Sequence, residues 1–147
     1  MESRTNKITQ ALSPAEIDFV FAIRTEVFVV EQKCLPIEEF DKLDALAVHY
    51  LYWLNGLPVA TGRYRKTEKG IKIERIATLA AHRGKGYASE MVRFLIQEAI
   101  LAYPEMKYFY LHAQQSVMPL YASVGFVPYG GTFIEADIVH QAMSYHI

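Results

Sequence analysis

Arg75-Ile76-Ala77-Thr78-Leu79-Ala80-Ala81-His82-Arg83-Gly84-Lys85-Gly86-Tyr87-Ala88-Ser89-Glu90-Met91 joins three kinds of local structure in one stretch. A β-prone run ends in a basic turn with two glycines. The turn opens directly into helical spacing, with Met91, Val92, Leu95, Ile96 and Ala99 recurring on one face. Backbone N–H groups at a helix start lack partners within the helix and sit at the positive end of its dipole. Together they form a pocket for a phosphate or pyrophosphate. Gly84 and Gly86 permit positive φ or close approach of an anion, and Arg83 and Lys85 add formal charge. The plainer alternative is a strand-to-helix turn with its basic residues in solvent.

Two phosphate-loop patterns fail here. G-x-x-x-x-G-K-[ST] is absent because Gly84-Lys85-Gly86 is too short and Tyr87 follows, and the dinucleotide fingerprint lacks its third glycine. The pattern that fits is R-x-x-G-x-A, at Arg83, Gly86 and Ala88. Further on, residues 107–113 read as a buried strand, followed by Gln114-Gln115-Ser116 and then by Y-x-x-x-G-F at Tyr121 to Phe126. Gly125 is the expected left-handed helix stop. With both motifs in order, the chain resembles the GNAT superfamily of acyl-CoA-dependent N-acyltransferases, whose pyrophosphate motif is [Q/R]-x-x-G-x-[G/A]. The resemblance is fullest over residues 45–130. Residues 24–32, Arg-Thr-Glu-Val-Phe-Val-Val-Glu-Gln, also resemble the R-x-x-V-F-V-x-E-Q segment of a small bacterial branch of that superfamily.

The chain as a whole is 147 residues long, which predicts a single domain over 1–147 with a sizeable core. A net charge of −1 gives no electrostatic case for nucleic acid or an anionic membrane. The one cysteine, Cys34, excludes an intramolecular disulfide and a cysteine-rich metal site and suits a reducing cytoplasm. No apolar run reaches transmembrane length, and residues 1–12 are too polar for a signal peptide.

Local signals place the elements. Residues 7–11 read as a first strand. Ser13-Pro14-Ala15-Glu16 is a capping box with proline at the first helical position, and Ile17, Val20, Phe21, Val27 and Phe28 keep one helix face. Arg24 falls in that stripe, either snorkelling or at the rim of a site. Residues 31–44 are acidic and hold a turn and a short helix at Pro36. Strands follow at 45–54, 57–65 and 71–79, the first two joined by the hairpin signal Asn55-Gly56. The tail, 126–145, reads as two strands with Gly130-Gly131 nearby. This order of elements is that of the GNAT fold: an α+β architecture whose mixed sheet of six or seven strands splays open and is flanked by about four helices.

The resemblance implies acetyl-CoA as co-substrate, no metal, and a small-molecule or peptide amine as acceptor, with a homodimer left open. The pyrophosphate falls to Arg83, Gly84, Lys85 and Gly86 and to the first helical turn, Tyr87, Ala88 and Ser89. Pantetheine falls to the backbone of Ile76, Ala77 and Thr78, which loses its neighbour strand at the splay. Gln114 stands where many members carry an asparagine that binds pantetheine; the alternative is a helix cap. Tyr121 is the acid for the leaving thiolate, or else a packing residue. Glu74, His49 and His112 are candidates for the base, and bulk water is an alternative to all three. Arg24, Glu31 and Glu38, with Glu39 and Asp41, would line an acidic acceptor rim, unless the segment is simply a solvated loop. The expected reaction is direct acetyl transfer to a primary amine. A non-catalytic CoA-binding sensor or interaction module is the alternative, and a nucleotide-phosphate binder is a third reading disfavoured by the missing lysine motif.

Overall fold

Alternation along the strands sorts this chain onto two faces of one sheet, as seen in a computed structural model that describes residues 5–147. In the strand β5 (Tyr108–Gln114), Phe109, Leu111 and Ala113 are buried in the larger core, while Tyr108, Tyr110, His112 and Gln114 point to the opposite face. The larger core is closed by α3 (Tyr87–Ala102), whose Met91, Leu95 and Ala99 are fully buried. On the other face, Val20 and Ile23 of α1 (Pro14–Arg24) pack with Leu51 and Ala77.

The remaining elements are β1 (Asn6–Gln10), α2 (Pro36–Glu39), β2 (Val48–Leu54), β3 (Leu57–Lys66), β4 (Ile71–Thr78), α4 (Met118–Val124), β6 (Val127–Glu135) and β7 (Ile138–His146). The seven strands lie in the order β1-β2-β3-β4-β5-β7-β6. Every neighbouring pair is antiparallel except β4 and β5, which run parallel and pair only at Ile71 opposite Phe109 and Lys72 opposite Tyr110. Beyond those two residues the strands part. The splayed seven-strand sheet and four helices match the fold expected from sequence. Among the described residues, no helix is long and apolar enough to cross a membrane.

Local chemistry accounts for the boundaries. Ser13 Oγ accepts from the Glu16 N–H at 3.2 Å and the Glu16 carboxylate accepts from the Ser13 N–H at 3.0 Å, closing the capping box. The helical stripe read through Phe28 does continue, but as a π-helix over Thr25–Glu31, with Gln32 N–H donating to Val27 O. Asn55 and Gly56 turn the β2–β3 hairpin at φ 51° and 82°. The strand expected from residue 45 begins at Val48, because Asp44–Leu46 forms a turn of 3-10 helix. Gly130 and Gly131 lie within a bulge of β6, where the Gln141 amide donates to the carbonyls of Tyr129 and Gly130; the hairpin itself turns at Ala136-Asp137.

A second bulge positions the site. Thr61 faces Ala77 and Arg63 faces Glu74, so β4 carries one extra residue between them. Arg75 sits in that bulge at φ 56°, a left-handed conformation that non-glycine residues rarely hold.

Gly70 sets where β4 and β5 meet. A Cβ there would collide with the backbone carbonyl of Tyr108, which cannot move without displacing β5. Gly70→Ala should therefore lose about 1–3 kcal/mol or more by overpacking. Urea denaturation of the variant beside Gly84→Ala, where a Cβ meets open space, separates this contact from a general glycine effect.

Candidate active site

Where β4 and β5 part, a cleft of about 1070 Å³ runs between the start of α3 and the bulge in β4. Gly84, Gly86 and Ser89 line one end, Thr78, Gln114 and Tyr121 the middle, and Glu74, Arg75, Glu38 and His112 the other.

The α3 end is shaped by backbone. Gly86 caps the helix at φ 84° without any side-chain hydrogen bond, and the helical ladder starts only with Glu90 N–H donating to Gly86 O. The N–H groups of Tyr87, Ala88 and Ser89 therefore precede the ladder, as helix geometry requires. Gly84 also takes positive φ, 77°, and a Cβ built at either glycine meets no atom within 4 Å. The room above the helix start is open. The side chains expected to assist mostly do not. Arg83 is committed elsewhere: its two terminal nitrogens donate to Glu31 at 2.9 and 3.0 Å and its Nε to Thr78 O at 2.8 Å. The Tyr87 ring stacks on Tyr52 in the core, 4.6 Å between centroids, leaving only its N–H for a ligand. Lys85 makes no ion pair among the described residues.

In the middle of the cleft, Ile76 packs towards Gly62 and Met91, and Ala77 packs on the α1 side. What these residues offer the cleft is main chain. Thr78 keeps a buried Oγ1 with no partner. Gln114 donates from Nε2 to Gln32 Oε1 at 2.8 Å, so it is a cross-cleft partner of the π-helix end and does not cap a helix. Tyr121 lies in the wall, 9% exposed, with its ring edge on Phe126. Burial pushes its phenol above the usual range, so it stays protonated and able to donate.

The far end is an ion network. Arg63, with no solvent exposure, donates from Nε to Glu74 at 2.8 Å, from Nη1 to Asp44 at 2.6 Å and from Nη2 to Asp41 at 3.1 Å. Arg24 donates to Glu39 and Asp44, each at 2.6 Å, and its guanidinium lies over the rings of Phe21 and Phe40. Arg75 reaches Glu39 and Asp41, at 3.2 and 3.0 Å. Burial alone would raise Asp41 and Asp44, but Arg63, joined at Asp44 by Arg24, holds both below the usual carboxylate range. Glu39 ends above it because burial outweighs Arg75 and Arg24.

Several expectations are corrected by this network. Arg24 is wholly buried, so it neither snorkels nor meets a ligand at a rim. Glu31 pairs with Arg83, and Glu39 and Asp41 with arginines, which leaves Glu38 as the exposed carboxylate of the expected acidic rim. Glu74 faces the cleft but accepts from Arg63 and Arg65 and pairs with Lys72 at 3.2 Å. Burial would raise it, yet these cations bring it down to about 2, too weak a base for an ammonium. His49 is buried outside the cleft lining, its Nε2 2.9 Å from Asp44 O, and burial pushes its pKa down. Neither Glu74 nor His49 fits the base role.

Arg63, Arg65, Lys72 and Glu135 carry no expectation from sequence, and Gln32 enters only as the last residue of the R-x-x-V-F-V-x-E-Q segment. The alternation Arg63-Tyr64-Arg65 in a strand does place both arginines on one face, and that signal was available. The Gln32–Gln114 and His112–Glu135 pairs, 82 and 23 residues apart, carry no local signal.

Fold and cleft thus define an acyltransferase scaffold. A family model described as an acetyltransferase (GNAT) domain matches residues 27–147, and the chain belongs to this family. It is 32% identical over 138 residues to an uncharacterized N-acetyltransferase, YjcF, of Bacillus subtilis, covering 93% of this chain and 97% of that one. A crystal structure of an acyl-CoA N-acyltransferase from Pseudomonas aeruginosa superposes with a TM-score of 0.83 at 31% identity, over 97% of this chain and 99% of that one. A Bacillus subtilis acetyltransferase in complex with CoA shares the fold at a TM-score of 0.71 and 14% identity, over 97% and 99% of the two chains.

Two measurements check this geometry. Gly86→Val should weaken CoA binding by tenfold or more in calorimetry because it forbids the left-handed cap, whereas Arg83→Ala should change it only a few-fold. The Glu74 pKa sets the sign of an acid effect on stability. A carboxyl held at about 2 against an ordinary 4.5 stabilises the fold by on the order of 3 kcal/mol. Because the folded value is the lower one, that stabilisation is complete above about pH 4.5 and fades as pH falls to about 2. Glu74→Gln should be less stable than wild type at neutral pH, and urea titrations should show the gap narrowing through that window.

Proposed function

We propose that this single domain transfers an acetyl group from acetyl-CoA to a primary amine by direct attack in a ternary complex, in a reducing compartment such as the cytoplasm. The observation that carries this reading is the splay itself: an open helix start at Gly86 leads into a cleft between β4 and β5 that passes Tyr121. Pyrophosphate at the N–H groups of Tyr87, Ala88 and Ser89 would send pantetheine along the main chain of Ile76 to Thr78. Strand addition to a free edge is the natural partner for that backbone. Holding amine and thioester together in one cleft supplies rate through orientation, and N–H groups facing the carbonyl oxygen would stabilise the tetrahedral intermediate.

Tyr121 is the acid in this reading, donating its O–H to the sulfur as the C–S bond breaks. Direct attack is favoured over an acyl-cysteine because Cys34, which also lines the cleft, is a poor nucleophile there. Burial pushes its thiol pKa up, and Glu39 and Glu38 push it further. Among the expected acceptor contacts, Glu38 keeps a place at the exposed rim.

Tyr121→Phe removes one hydroxyl and little volume. CoA affinity and melting temperature should stay near wild type, while kcat for acetylation of a primary amine falls ~10²-fold. Unchanged kcat would make Tyr121 a packing residue. A wild-type protein that binds CoA tightly but acetylates none of a broad set of primary amines would favour the CoA-sensing module instead.

A further inference from the structure

We propose that His112 is the catalytic base that deprotonates the acceptor amine, and that Glu135 is the positioning residue that fixes its tautomer; this rests on the transferase reading above. His112 stands on β5 two residues past the last contact with β4, inside the splay and on the face opposite α3. Its Nδ1 lies 3.2 Å from Glu135 Oε1, and the edge-on ring of Phe133, 5.0 Å between centroids, fixes the plane of the imidazole. A carboxylate only accepts, so the proton of the neutral ring is on Nδ1 and the lone pair is on Nε2. Nε2 has no protein partner among the described residues, and His112 lines the cleft.

The surrounding charges favour this arrangement. The hydrogen bond from His112 keeps the Glu135 carboxyl below its ordinary range, assisted by His140 and Lys72. His140 does not compete for the role. Its Nδ1 donates to Ile138 O at 2.7 Å, its Nε2 faces Glu135 at 3.9 Å, and the residue is buried. Tyr110 from the same strand is the remaining titratable neighbour, 6.4 Å between ring centroids. Of the other candidates in or near the cleft, Glu74 is held by three cations, Glu39 and Asp41 by arginines, His49 is sealed off, Glu38 lies at the exposed rim, and His82 belongs to the turn just before Arg83, towards the α3 end.

The proton balance is complete. An acceptor enters as an ammonium with three N–H bonds. Nε2 of His112 takes one proton, the nitrogen lone pair forms the C–N bond to the thioester carbon, and the C–S bond breaks. A second proton ends on the CoA sulfur through Tyr121, which recovers it from the amide nitrogen by way of solvent. One N–H remains in the amide, and His112 releases its proton to water.

Ethylamine and trifluoroethylamine have similar shapes, but only the first is an ammonium at neutral pH, so the pair isolates the deprotonation step. The full chain is assayed with acetyl-CoA and saturating concentrations of each. His112→Gln should slow ethylamine acetylation ~10²-fold and remove the acidic limb of its pH–rate profile, while trifluoroethylamine changes only a few-fold. Glu135→Gln should slow ethylamine less, and ¹⁵N spectra of the imidazole should show the proton leaving Nδ1. Equal loss with both amines, or loss with neither, overturns the assignment while the transferase reading stands. Wild-type protein that binds CoA but acetylates no primary amine overturns the transferase reading, and this assignment with it.

Discussion

Arg63 carries a guanidinium with no solvent exposure, and carboxylates from two different regions of the chain converge on it. Asp41 and Asp44 come from the segment after α2 and Glu74 from the neighbouring strand. Removing one partner from such a cluster leaves an uncompensated charge in a dry place, which costs about 3–5 kcal/mol. The acidic segment is therefore pinned across β3 and β4, and it closes the far end of the cleft. Arg75 completes the arrangement from the opposite side. Its left-handed backbone would be unfavourable alone, by about 1–3 kcal/mol, but the bulge aims its side chain at Glu39 and Asp41, and those contacts offset the strain.

The cleft exists because one pair of parallel strands fails to stay paired. β4 and β5 share only two paired positions, and Gly70 permits the close approach at which those form. Past Lys72 the edges of both strands lose a neighbour, and buried backbone polar groups need partners. Side chains bridge part of the gap. Glu31 crosses to Arg83 and Gln32 crosses to Gln114, both from the end of the π-helix. The extra width of that helix turn thus has a place in the site. A ligand threading the splay would meet the neutral Gln32–Gln114 hydrogen bond, and beside it the exposed Glu31–Arg83 ion pair of modest strength.

Legibility followed the range of the interaction. The glycine turn at Gly84 and Gly86, the capping box at Ser13 and the Asn55-Gly56 hairpin are all decided within a few residues, and each reads directly from sequence. So do the strand alternation and the left-handed stop at Gly125, which mark the elements, whereas the splay of the sheet is implied only by the family resemblance. The acidic segment was misread for the opposite reason. Glu39 and Asp41 look like part of a free anionic rim until their partners arrive, and most of those partners lie far along the chain, on β3 and β4. Arg24 is the same lesson from the basic side: a charge in an apolar helix stripe implied exposure, and a salt-bridge cage with two aromatic faces made burial possible. Of the three base candidates, Glu74 and His49 are lost to charges and burial from across the sheet, which their positions in the sequence do not show.

The electrostatics of the acceptor end follow from how the network is partitioned. Arg24, Arg63 and Arg75 interleave with Glu39, Asp41 and Asp44, three cations against three carboxylates. What remains at this end is Glu74 facing Arg65 and Lys72, with Glu38 at the rim, two carboxylates against two cations. That corner is balanced, so in the proposed reaction attraction of a cationic acceptor would fall to Glu135, which stands with His112. Glu135 then has two electrostatic effects at once. In the proposed reaction its charge would favour the approach of an ammonium, and its hold on Nδ1 would keep the other imidazole nitrogen free to accept the proton that the ammonium must lose. Binding and activation of the acceptor would then meet at one point, between β5 and the end of β6.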